Sequence, residues 1–203
     1  MRSQRFPIVV AVVLAVGCSS GPSAPDDNSY ISALSAAREY KDEQFRESAE
    51  SPVPPDKRDA LLPLRYFPVD PAYNVSAALK LAGERPVFEM PTSTGTVRRM
   101  QLVGTLEFTL HGQTHSLGAF VPDGTQMVTD LFVPFADTTT GTETYSAGRY
   151  LDLSPTPTGF YTIDFNQAYN PYCAYNLAYE CPFPPPSNRL TIAIEAGERT
   201  PAA

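Results

Sequence analysis

Proline sets the first limit on what this chain can fold into. There are 21 prolines against 12 glycines in 203 residues, and they cluster as PVPP (52–55), LPLRYFPVDP (62–71) and CPFPPP (181–186). Each proline removes a backbone donor, fixes its own φ and biases the preceding residue away from the helical region. Such a chain favours many short elements joined by stiff turns over long helices.

One helix fits ahead of the first cluster. Asp26 to Ser29 is rich in N-cap residues, and Tyr30, Ala33, Leu34, Ala37, Tyr40 and Phe45 recur at near-helical spacing. The spacing predicts a helix from about Ser29 to Glu47, stopping before Ser51-Pro52. Arg38, Glu39, Lys41, Asp42 and Glu43 read as its solvated, ion-paired face. Pro52 to Pro71 then reads as an extended arm anchored by Leu61, Leu62, Leu64, Tyr66 and Phe67. The stretch from Tyr73 to Ala82 fits either a strand or a short helical turn.

From Pro86 onward the pattern changes to period two. Strands are expected at Val87–Met90, Val97–Val103, Thr105–Leu110, Thr114–Val121, Asp130–Phe135, Arg149–Leu153, Phe160–Phe165 and Leu190–Glu195. His111-Gly112-Gln113 makes a tight hairpin connection. The fold class is mainly β (α+β): a curled antiparallel sheet or small β-barrel, with one N-terminal helix and the proline-rich arm. Residues 29–203 are expected to form a single domain.

The N-terminus points to export. Arg2 and Arg5 precede an apolar run, Phe6 to Val16, that is too short to span a bilayer. Residues 1–17 therefore read as a signal peptide. Ala15-Val16-Gly17-Cys18 resembles a bacterial lipobox, which makes Cys18 the expected lipidation site and 18–28 a flexible tether. The expected location is the outer face of the bacterial cytoplasmic membrane, with the membrane as partner through that lipid. The formal charge of −7 and the lack of a basic cluster make nucleic acid a poor partner. Of the three cysteines, Cys173 and Cys181 remain as a pair, and a disulfide is the expected state in an oxidising compartment. A metal-thiolate pair or a redox pair are the rival readings. Seven residues separate the two, wider than the usual metal spacing.

The segments LFVPFADTTTGTETYSAGRYLDL, IDFNQAYNPYCAYNLAYECPFPPPSNRL and the terminal AGER, with KDEQF, SPVPP and LRYFPVDPAY before them, carry a resemblance. They closely resemble the bacterial and archaeal family catalogued as domain of unknown function 1684. The resemblance spans roughly Tyr30 to Arg199. It implies a shared fold and a shared site, and no assigned activity.

Polar and aromatic residues concentrate between Leu131 and Leu190. Asp137, Tyr145, Arg149, Asp164, Asn166, Asn170, Tyr175 and Asn188 are the candidate ligand-binding residues. Arg149, set among small and apolar residues, either holds a ligand carboxylate or phosphate or forms an internal strut with Asp137 or Asp164. Tyr169, Tyr172, Tyr175 and Tyr179 supply an aromatic wall for a planar or sugar-like ligand, or belong to the core. The chain contains no G-x-S-x-G, H-E-x-x-H, P-loop or G-x-G-x-x-G pattern. No cofactor or metal is expected, and no catalytic residue is assigned. The expected role is a cell-envelope lipoprotein that binds a small polar or anionic ligand. An envelope hydrolase with a carboxylate acid or base, and a structural or interaction protein, are the alternatives.

Overall fold

The computed structural model describes residues 26–154 and 156–202. The expected signal peptide, the lipidated Cys18 and most of the tether lie outside the described residues.

Helix α1 spans Asp27–Glu47, so it begins just inside the stretch read as tether. Asp26 caps it, its carboxylate accepting the Ser29 N–H at 2.7 Å. Only Phe45 of this helix is buried, so α1 docks with almost no apolar stripe. Polar side chains fasten it instead. Tyr30 donates to Asp164 (2.8 Å) and Arg38 to the carbonyl of Phe67 (2.9 Å). Lys41 pairs with Glu198 (2.6 Å), and Asp42 accepts the Leu64 N–H (2.9 Å). Arg38, Lys41 and Asp42 therefore face inward, while Glu39 and Glu43 stay exposed.

The proline-rich arm follows, broken by a 3-10 turn at Pro55–Lys57 and the one-turn helix α2 (Arg58–Leu61). Val53, Leu62 and Leu64 pack with Phe45 and Tyr175 in a small cluster of their own. The arm thereby ties α1 to the rest of the molecule.

A curled antiparallel sheet carries everything else, forming a half-barrel. Its strands are β1 (Asn74–Leu81), β2 (Val87–Pro91), β3 (Val97–Leu110), β4 (Gln113–Pro122), β5 (Leu131–Phe135), β6 (Arg149–Leu153) and β7 (Phe160–Asp164). The order is β6-β5-β4-β3-β1-β7, with β2 also paired to β3. Strand β3 is the spine. Its first half pairs with β2 (Met100 opposite Phe88), and its second with β1 (Leu106 opposite Leu79). The two segments read as separate strands are thus one. They are joined by a bulge between Leu102 and Gly104.

The bulge divides the core. Before it, Met100 packs with Met90 and Phe120. After it, Leu106, Phe108 and Leu110 join Leu117, Val133, Phe135, Leu151, Ile163 and Phe165 in the main cluster. One extra residue shifts which side of the strand faces inward. At the far end Leu110 pairs with Gln113 across a two-residue turn, His111 (φ 49°) and Gly112 (φ 76°). Positive φ at both positions matches the twist of the flanking strands.

Leu190–Glu195 is the expected strand that does not form. The chain bends at Thr191 and Ile192, yet its alternation is real, with Leu190, Ile194 and Ala196 buried. Its polar backbone groups find partners in loops and side chains instead of a ladder.

Candidate functional site

Strand β6 begins with Arg149, whose side chain is fully buried. Gly148 before it has φ +85°, and a Cβ there would lie 2.6 Å from the Phe135 carbonyl oxygen. Only glycine admits this approach. The Arg149 guanidinium pairs with Asp137 at 2.9 Å. It also donates to the carbonyls of Ile194 (2.8 Å), Ala196 and Glu198 (3.3 Å). Asp137 in turn accepts from the backbone N–H and hydroxyl of Thr139, at 2.8 and 2.6 Å. Burial lowers the Arg149 pKa, opposed by the Asp137 charge.

The other sequence candidates also lie within internal networks. Asp164 accepts from Tyr30 (2.8 Å) and Gln167 (2.8 Å). Asn166 clips the arm: its Oδ1 accepts the Asp70 N–H (3.0 Å), and its Nδ2 donates to the Asp70 carbonyl (2.8 Å). Asn188 bridges β4 and β5, which share only the Phe120–Phe132 backbone pairing. Its amide binds both backbone groups of Gly118 (2.8 and 2.9 Å) and the Pro134 carbonyl (2.7 Å). Asn170 donates its N–H to Glu198 at 2.8 Å, and Tyr175 donates its hydroxyl to the same carboxylate at 2.6 Å. Tyr145 reaches the Cys173 carbonyl at 3.4 Å. Asp137 and Asp164 share no partner. These residues fasten separate joints of the fold and do not surround one opening.

The opening lies beside them. A cleft of about 490 Å³ runs between the end of α1, strands β3, β5 and β6, and the loop from Tyr169 to Pro182. Phe132, Tyr150, Tyr169, Tyr172 and Tyr179 wall it. The rings brace one another edge to face: Phe132 on Tyr150 at 4.7 Å, Tyr150 on Tyr169 at 5.8 Å and Tyr172 on Tyr179 at 5.2 Å. Tyr169, Tyr172 and Tyr179 of the expected aromatic wall therefore line the cleft, whereas Tyr175 turns inward to Glu198.

Four charged side chains complete it. Lys41 reaches in from α1, with its Nζ 5.2 Å from the Phe45 ring and 5.4 Å from the Tyr169 ring. Behind it Glu198, 1% exposed, holds the ammonium at 2.6 Å. Arg98 comes from β3 and meets Glu180 at 3.4 Å. Hydrogen bonds from Thr96 and then Arg98 lower the Glu180 pKa. Asp152 on β6 accepts the Tyr169 hydroxyl at 2.6 Å. Burial, reinforced by that carboxylate, raises the Tyr169 pKa and keeps the phenol a donor.

Sequence reasoning missed Lys41, Arg98, Asp152 and Glu198. Lys41 sits in a run of charges that looks like a solvated face. Glu198 stands two residues past the last apolar core position, beside Arg199, and looks like a tail. No spacing rule links residues so far apart. Among the described residues, no cluster of three His, Cys, Asp or Glu side chains could hold a metal ion.

A family model described as "Protein of unknown function (DUF1684)" matches residues 60–199. The chain is also similar to the solution NMR structure of an uncharacterized protein from Haloarcula marismortui. The two share 40% identity, over 86% of this chain and 96% of that one, with a TM-score of 0.67. No curated protein matches.

Proposed function

We propose, for a chain that belongs to the DUF1684 family of proteins of unknown function, that it is a binding protein for a small polar or anionic ligand, which it holds in the aromatic cleft. The observation that carries this reading is the cleft itself. Its volume of about 490 Å³ falls in the range of small-molecule sites, and a few fixed polar groups converge on mostly aromatic walls.

Lys41 and Arg98 supply the positive charge. Each already has a carboxylate partner, so their heads are positioned before a ligand arrives. Asp152 and Glu180 offer acceptors for hydroxyl or amine donors. The tyrosine and phenylalanine rings suit an apolar or planar face. Residues around Cys18 support an exported, lipid-anchored protein whose described portion stands clear of the membrane on a short tether.

Amide NMR titration with inorganic phosphate, citrate and N-acetylglucosamine tests the binding reading. Shifts concentrated at Lys41, Arg98, Tyr169 and Tyr179, weakened in Lys41→Met and Tyr179→Ala, are the expected result. Probes that shift nothing in the cleft would sink it. Loss of the protein from the membrane fraction in Cys18→Ser tests the anchor.

A further inference from the structure

Two cysteine sulfurs stand at the cleft wall. Cys181 lines the cleft, and Cys173 is buried next to it. Both are held as thiols, 2% and 4% exposed for Cys173 and Cys181 respectively. The Cys173 backbone N–H donates to the Cys181 Sγ at 3.1 Å. The Tyr145 hydroxyl adds a contact to the Cys173 Sγ at 3.9 Å. The backbone around Cys181 is pinned on the far side, where Ser93 donates its N–H to the Cys181 carbonyl (2.9 Å) and accepts the Cys181 N–H on its hydroxyl (3.1 Å). The segment between the cysteines carries Tyr179 and Glu180, both part of the wall.

We propose that Cys173 and Cys181 form an oxidisable dithiol, which reacts with low-molecular-weight disulfides and, once closed, stiffens the tyrosine-bearing wall of the cleft. The Cys173 sulfur attacks one sulfur of the reagent and expels the other half as a thiolate. The Cys181 sulfur then attacks the Cys173 Sγ and expels the second half. One new S–S bond replaces the reagent's, the reagent is reduced to two thiols, and the two cysteine protons end on those thiols. Hydrogen bonding from Cys181, opposed by burial, pulls the Cys173 pKa down to about 7, which raises its thiolate fraction. Closing a ring this short removes freedom from the intervening backbone. The consequence for binding rests on the cleft being the working site, but the thiol chemistry does not.

The full-length protein is equilibrated in glutathione buffers of graded ratio, quenched in acid, alkylated and mapped by peptide mass spectrometry. An intramolecular Cys173–Cys181 peptide, lighter by two hydrogens, should grow with the oxidised fraction and vanish on adding reduced glutathione. Cys181→Ser should instead accumulate glutathione on Cys173. Amides of residues 172–182 should exchange about tenfold more slowly in the oxidised form, with the β3–β4 hairpin unchanged. Thiols that stay alkylatable at every ratio, or that react only in urea, overturn the dithiol. A disulfide that leaves exchange in 172–182 unaltered overturns the stiffening. A cleft that binds none of the NMR probes counts against the functional reading and leaves the thiol result standing.

Discussion

Arg149 shows how one side chain can stand in for a missing strand. The carbonyls of Ile194, Ala196 and Glu198 all meet its guanidinium, the chain turning at Gly197 (φ 75°) between the last two. The alternation in LTIAIEAGE was legible in the sequence. The identity of its partner was not, because a guanidinium leaves no period-two signature. The buried pair with Asp137 supports the internal-strut reading of Arg149. Arg149→Met should therefore cost about 3–5 kcal/mol of stability, since it strands the buried Asp137 carboxylate and several carbonyls. Urea unfolding measures this, and a loss below about 1 kcal/mol would contradict the strut. Asn166 and Asn188 were also singled out by sequence, as pocket-lining polar groups. What could not be read was which backbone groups each amide meets, and so which two elements it joins.

At the scale of elements, the β3–β4 hairpin was the most legible feature. Its period-two apolar positions and two-residue turn are local signals, and local signals survive folding. Strand β1 was undecided because Asn74–Leu81 mixes small and polar residues, and only Ala77 of it is buried. The bulge on β3 was hidden for a different reason: Gly104 looks like an ordinary break in a strand pattern. In the fold it lies against β1, where a Cβ would sit 2.3 Å from the Lys80 carbonyl oxygen. Gly104→Ala should push β1 away from β3 and cost about 1–3 kcal/mol. Thermal unfolding reads the loss, and amide exchange should place the loosening in β1 and β7, leaving β5 and β6 unchanged. Helix α1 was found from its spacing, but its charged residues were assigned to solvent. Polar residues that dock a helix look the same in sequence as those that dissolve it.

Across the whole molecule a set of buried tyrosines shares one electrostatic bias. Burial is the main cause that raises the pKa of Tyr30, Tyr66, Tyr150, Tyr169 and Tyr175, and that pushes Tyr145 up to about 12. Neighbouring carboxylates reinforce it at Tyr66, Tyr169 and Tyr175. A phenol whose folded pKa lies above its unfolded value, about 10, holds its proton longer in the native state. Its contribution is complete below that value and is lost as pH rises through the folded one. Stability should thus stay level to about pH 10 from this source and then fall. Phenolate absorbance should rise late, together with unfolding. A rise near pH 10 that reaches the amplitude of all 11 tyrosines in protein that remains folded would show these phenols to be freely titrating.

Lys41 gives the docking of α1 a further meaning. The cleft takes one of its walls from an element that has a single buried apolar side chain and is otherwise held by ion pairs and hydrogen bonds. Occupancy of the cleft and attachment of the helix are therefore linked equilibria. A ligand that touches Lys41 must tighten the helix by the same factor by which the attached helix tightens the ligand. Removing the Lys41–Glu198 clasp, as in Lys41→Met, releases both together.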